Sequence, residues 1–327
     1  MKRMKFLSAV FLALLLFSTR SALAAPYGEY RVTPRRHENF TALGGKSGKV
    51  LRYYGGPVIS HVKVFIVFWS SEVGTELQVK LAPFYRSILD SGYMDVLAQY
   101  KTDVSAMDGR NGTGQTIGRG RLIGQKIIAP QNQSTTLTDR MIQKELSAQI
   151  AAGVLPAPDA DTLYMVYFPQ GILIKGPGGS GMSCQTFDAY HDGFKTSQGG
   201  AVFYGVMPDC GLDFAGATEV SSHETIEAVT DPFPTPGNNP AYPQAWNSIR
   251  GDEVADLCQE QSPSYVSGSV TSVVARPWDN SIGACAKGPW TDSAAQLASR
   301  STEIRARISP ILTALSSLTP RTFWQGR

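Results

Sequence analysis

The stretch Val62 to Trp69 (VKVFIVFW) constrains the fold more than any other segment of the chain. It is dense in β-branched and aromatic side chains and follows Gly55-Gly56-Pro57, so it reads as a buried strand. A strand buried on both faces needs layers to cover it, and the following sequence supplies them. Thr75 to Leu89 carries Leu77, Leu81, Phe84, Ile88 and Leu89 at amphipathic helical spacing, and Tyr93 to Tyr100 reads as a second helix. The Gly-rich polar stretch 104 to 122 reads as a long loop. Further strands are expected at Lys126 to Ala129, Leu163 to Phe168 and Ala201 to Met207, with a helix from Thr138 to Ala152 between them. Ala217 to Val229 reads as a helix stopped by Asp231-Pro232, because the residue before proline is pushed out of helical geometry. Prolines 232, 234, 236, 240 and 243 then mark a surface loop, and Asp292 to Leu315 has a long helical pattern broken at Pro310. Strands and helices mix without strict alternation, which predicts an α+β class: a mixed central sheet with flanking helices.

The N-terminus places this fold in a compartment. Lys2, Arg3 and Lys5 precede the apolar run Phe6 to Phe17 and the small-x-small triplet Ala22-Leu23-Ala24, the pattern of a secretory signal peptide over residues 1–24. Residues 25–50 are polar and Gly-rich and read as a poorly ordered arm, leaving 51–327 as one α+β domain with a C-terminal helix. No later segment approaches the ~20 apolar residues of a membrane helix, so no transmembrane segment is expected after cleavage. The formal charge of +3 includes four basic residues of the signal and no acid, so the remainder carries −1. A near-neutral chain without a Lys/Arg cluster lacks the electrostatic footprint of a nucleic-acid binder. The expected location is secreted and extracellular, or periplasmic in a Gram-negative source.

Cys184, Cys210, Cys258 and Cys285 all fall in the C-terminal half, without the close pairs of a structural zinc site. In an exported chain an even count reads as two disulfides. Of the three pairings, the sequence-local one is favoured: Cys184 with Cys210 and Cys258 with Cys285.

The chemistry concentrates in Ser221-Ser222-His223-Glu224-Thr225-Ile226-Glu227-Ala228-Val229-Thr230-Asp231-Pro232. On a helix His223 and Glu227 share a face, so an imidazole nitrogen and a carboxylate oxygen can reach one metal ion. This is the spacing of H-E-x-x-H zinc peptidases with Glu in place of the second His, and Glu224 stands where those enzymes keep their general base. A catalytic zinc takes three protein ligands, and Gly251-Asp252-Glu253-Val254-Ala255-Asp256-Leu257-Cys258 offers the third. Glu253 is expected to ligate, with Asp256 orienting His223; Asp231, Asp256 and His191 are the alternative third ligands. His191 lies in Tyr190-His191-Asp192-Gly193-Phe194, a Gly-rich loop suited to a site, where Tyr190 or His191 could stabilise an oxyanion. The ordinary alternative is a hydrogen-bonded His/Glu pair on a helix surface.

Taken together, YYGGPV with its aromatic strand, Cys184 ahead of YHDGF, MPDCG, SSHETIEAVTDP and GDEVADLC resemble the phosphate-induced protein family, also called EXORDIUM-like. The resemblance covers roughly residues 50 to 290. The family pattern Ser-His-Glu-x-x-Glu falls on Ser222, His223, Glu224 and Glu227, and its later Glu-Ile-Ala-Asp-Leu-Cys falls on Glu253 to Cys258 with Val254 in place of Ile. It implies an exported, cell-wall-associated protein and supplies no activity. Two functions are therefore expected. The first is a zincin-like, metal-dependent hydrolase, a candidate peptidase, with zinc on His223, Glu227 and Glu253 and with Glu224 and His191 as catalytic groups. The alternative is a binding or cell-wall-associated protein holding a structural metal, calcium included, because oxygen-rich ligation favours a hard cation. A peptide or wall-associated substrate would be the partner of the first.

Overall fold

In the computed structural model of the chain, the described residues are 49–196, 200–234, 240–259, 261, 264–267 and 272–291. The signal segment, most of the expected N-terminal arm and the expected C-terminal helix lie outside them.

The central sheet has five strands: β1 (Lys63–Phe68), β2 (Arg121–Ile127), β3 (Thr162–Tyr167), β4 (Tyr190–Lys195) and β5 (Ala201–Met207). Their order across the sheet is β2-β1-β3-β5-β4, parallel throughout except for β4, which runs antiparallel to β5 at one edge. The molecule is thus mixed α/β around a mixed sheet. Parallel strands are covered on both faces, which is why β3 is buried at every position. Alternation of side chains along β1 assigns the two cores. Val64, Ile66 and Phe68 pack with helices α1 (Thr75–Leu89) and α3 (Phe214–Thr230), whereas Val67 packs with Ile142 and Leu146 of α2 (Asp139–Ala151).

Three elements differ from the sequence expectation. β2 starts at Arg121, inside the stretch read as loop, and ends at Ile127, overlapping the expected Lys126 to Ala129 only at its first two residues. It is an edge strand with mostly exposed side chains, so no apolar alternation marks it. Residues 190–195, read as a Gly-rich loop, form the other edge, β4. Its glycine has a packing reason: a Cβ on Gly193 would come within 2.6 Å of the Pro232 carbonyl oxygen. The Glu253 to Cys258 segment is a turn leading into a short 3-10 turn at Asp256–Cys258, so Glu253 and Asp256 do not share a helix face.

The Gly-Gly-Pro stretch ahead of β1 has its own task. Arg52–Tyr53 pair antiparallel with Trp246–Asn247, and the ladder continues through Tyr54 N donating to Ala245 O and Gly56 N to Gln244 O, at 2.7 and 2.8 Å. A Cβ on Gly56 would stand 1.8 Å from the Pro243 carbonyl oxygen, a backbone atom that cannot swing aside. Gly56→Ala is therefore expected to lower stability by about 1–3 kcal/mol or more, read as a lower urea midpoint at unchanged slope.

Cys184 bonds Cys210 and Cys258 bonds Cys285, with Cα separations of 5.1 and 5.7 Å, the pairing expected from the sequence. Two disulfides, together with no helix among the described residues long and apolar enough to cross a membrane, are compatible with an exported protein.

Candidate metal centre

Helix α3 follows β5 and is started by Asp213, whose side chain accepts from Gly216 N at 2.8 Å. It ends where Asp231, ahead of Pro232, leaves helical geometry. From Val220 to Thr230 every residue is buried, an unusual setting for a stretch with four hydroxyls, two glutamates and a histidine. The hydroxyls are satisfied locally: Ser221, Ser222, Thr225 and Thr230 donate to carbonyls three or four residues back. Ser221 Oγ also bonds Tyr167 OH at 2.7 Å, and Ser222 Oγ accepts from Ala275 N at 2.9 Å, which ties the helix to β3 and to the C-terminal segment.

The acids are not satisfied in this way. Glu227 Oε1 accepts from Ala255 N and Asp256 N at 3.2 and 3.1 Å and thereby fixes the 253–256 turn over the helix. Glu253 N in turn donates to Asp256 Oδ2 at 3.0 Å. His223 Nε2 lies 3.0 Å from Glu227 Oε1 and 3.6 Å from Asp256 Oδ1, in contact but without hydrogen-bond alignment. His191, on β4, donates Nε2–H to the Asp231 carbonyl at 3.0 Å, has Glu253 Oε1 at 3.4 Å, and turns Nδ1 to Glu224 Oε2 at 3.1 Å. Asp231 Oδ1 accepts from Ala245 N at 2.8 Å, and its Oδ2 accepts from Asn247 Nδ2.

Five buried atoms of this cluster have no hydrogen-bond partner: His223 Nε2, Glu224 Oε1, Glu227 Oε2, Glu253 Oε1 and Asp256 Oδ1. Buried polar atoms left unpaired cost free energy, and a bound cation or ordered water is what would satisfy them. Two ligands at ~2.0–2.1 Å from a tetrahedral ion stand ~3.3 Å apart, close to the contacts His223 makes with Glu227 and Asp256. The donor set of one imidazole and two carboxylates fits a divalent ion.

The residues singled out from the sequence thus fall into one cluster with a different internal arrangement. His223, Glu227 and Asp256 place their ligand atoms within 4.8 Å of one another, and so do His191, Glu224 and Glu227. Asp256, expected to orient His223, reaches its Nε2 directly, whereas Glu253, the expected third ligand, stands against His191. Asp231, an alternative ligand, is taken up by Ala245 and Asn247. The sequence reading missed Asn247, which carries a further unpartnered oxygen; nothing in its local motif marks it.

Burial dominates the electrostatics. It raises the Glu227 carboxyl well above its ordinary range, with neighbouring Asp256 adding to the effect and His223 opposing it. It raises Asp231 to about 8 and Glu253 in the same direction. Burial alone would depress the imidazoles, but the Glu253 carboxylate, then Glu224, hold His191 well above its usual value, and Glu227 and Asp256 do so for His223. Each of these groups binds its proton more tightly folded than unfolded. For Asp231 the resulting stabilisation is full below 3.8 and gone above about 8. Metal-free protein should therefore lose thermal stability as pH rises from 5 to 8. Metal-loaded protein should gain it, because ligands must shed protons to bind. Melting temperatures at three pH values, with EDTA and with added zinc, test both signs.

Among the described residues, a cleft with about 380 Å³ of empty space, open solvent included, lies beside the first half of α3, lined by Leu77, Met207, Leu212, Ala217 and Val220 among others. None of the cluster's acids or histidines lines it.

No family model, curated protein or solved structure matches the chain.

Proposed function

We propose that the chain is an exported, EXORDIUM-like metalloprotein whose working part is a buried divalent-cation centre on His223, Glu227 and Asp256. The observation that carries this reading is that each of these three residues has a buried ligand atom without a hydrogen-bond partner: His223 Nε2, Glu227 Oε2 and Asp256 Oδ1. Glu253 and Asp231 complete the acidic surroundings. A structural role for the cation agrees with the burial, since His223 is 2% exposed, Glu224 and Glu227 are 0%, and the neighbouring cleft does not reach them. In that role the ion clamps the 253–256 turn to α3, adding to the clamp that Glu227 makes through two backbone N–H groups. Zinc suits the imidazole and calcium the oxygens. Metal analysis of protein purified without added metal tests the proposal. About one equivalent or more of a divalent ion is expected, and a metal-free, fully folded protein would sink it.

A second reading is the zincin-like hydrolase, favoured by one observation. Glu224 stands apart from the His223 group, with Oε2 held by His191 and Oε1 free of any partner. A bound zinc would lower the pKa of water and polarise a carbonyl. Glu224 would accept the proton at Oε1, and His191 would hold the carboxylate in place. Under this reading Glu224→Gln keeps its metal and loses peptidase activity by ~10²–10⁴-fold. A broad peptide screen on metal-loaded protein supplies the activity to be measured.

A further inference from the structure

The acidic cluster has two halves, each with its own imidazole, and Glu227 belongs to both. Its two oxygens are used differently: Oε1 stands beside His223 Nε2, while Oε2 is buried and unpartnered. On the other side, His191 is set up as a ligand. Its Nε2 faces the Asp231 carbonyl, which can only accept, so Nε2 carries the proton and Nδ1 is the one ring nitrogen left to coordinate. An imidazole that donates its distal N–H to a backbone carbonyl is the arrangement that orients metal-bound histidines. Nδ1 lies 3.1 Å from Glu224 Oε2, close to the ~3.3 Å between neighbouring ligands of one ion. Glu224 itself is 0% exposed, and its second oxygen has no partner.

We propose that His191, Glu224 and Glu227 hold a second divalent cation, and that the Glu227 carboxylate bridges the two ions. The inference rests on the metal reading of the His223 group and goes beyond it in number and in the role given to Glu224. Two ions sharing a carboxylate stand ~3.5–4 Å apart, close enough for their electron spins to couple.

The test loads the full chain with zinc or with Mn(II), removes loose metal by gel filtration, and counts ions per chain. Wild type is expected to hold two. His191→Gln and His223→Gln should each hold one, Glu227→Gln fewer than either, and all should keep the wild-type far-UV circular dichroism. Electron paramagnetic resonance of the Mn(II) wild type, which needs no variant, should show a spin-coupled pair. One ion in wild type, unchanged in His191→Gln and Glu224→Gln, overturns the second site and leaves the first standing, with His191 then the counter-ion of Glu224. Two uncoupled ions that survive His191→Gln also overturn it, because the second would sit elsewhere. No bound ion in any variant removes both proposals.

Discussion

Glu227→Gln is expected to abolish metal retention, to below about one-tenth of wild type, and to reverse its effect on stability according to whether metal is present. In metal-loaded buffer the variant should melt lower. An ion at one hundred times its dissociation constant stabilises by ~2.7 kcal/mol, which for a domain of this size corresponds to roughly 5–10 °C. With EDTA the order should vanish or invert, because burial and the Asp256 carboxylate oppose the charge on Glu227, and an amide removes that charge. Glutamine keeps a carbonyl oxygen for Ala255 N and Asp256 N, so the turn they anchor is not the variable. Differential scanning calorimetry in both buffers checks the inversion. A variant equally less stable with and without metal would show Glu227 to be a plain hydrogen-bond acceptor.

The second large effect concerns Cys258–Cys285, whose partners are 27 residues apart. A loop of that size corresponds to ~3–4 kcal/mol in the chain-entropy account of cross-links, so the double variant Cys258→Ser/Cys285→Ser should melt roughly 10 °C lower. The bond also sits two residues beyond Asp256, and Trp278 N donates to Val254 O at 2.7 Å on the same segment. Losing it should free the turn that carries Asp256 and weaken metal binding at His223 by about tenfold or more, a loss of at least ~1.4 kcal/mol. The Cys184–Cys210 bond closes a loop of similar length, with partners 26 residues apart, and leads into β4 on the His191 side. Its removal should cost comparable stability while leaving the His223 ligands in place. Equal loss of metal in both double variants would mean that global unfolding, not the local turn, sets the affinity. Isothermal titration with zinc separates the two.

Local signals carried much of this molecule. The strands at Val62 to Trp69 and Ala201 to Met207, the helices over Thr75 to Leu89 and Thr138 to Ala152, and the stop of α3 at Asp231-Pro232 follow from side-chain period and from proline sterics, which act within a few residues. The co-location of His223 and Glu227 follows from helix geometry alone. The cysteine partners also followed the sequence-local choice.

What the sequence could not decide was everything set by pairing across distance. An edge strand bonded on one side needs no apolar alternation, so β2 and β4 carry little local signal, and with β4 hidden His191 could be named as an alternative ligand or a catalytic group but not placed against Glu224 and the Asp231 carbonyl. The exchange of Asp256 for Glu253 beside His223 arises because the 253–256 segment is a turn pinned by Glu227 Oε1, not a helix with i, i+3 neighbours. The sequence determined which side chains could bind a cation. Their division into two groups around one shared carboxylate came from the tertiary structure, because edge pairing of β4 and capture of the turn are long-range contacts between segments that carry no mutual signal in the chain.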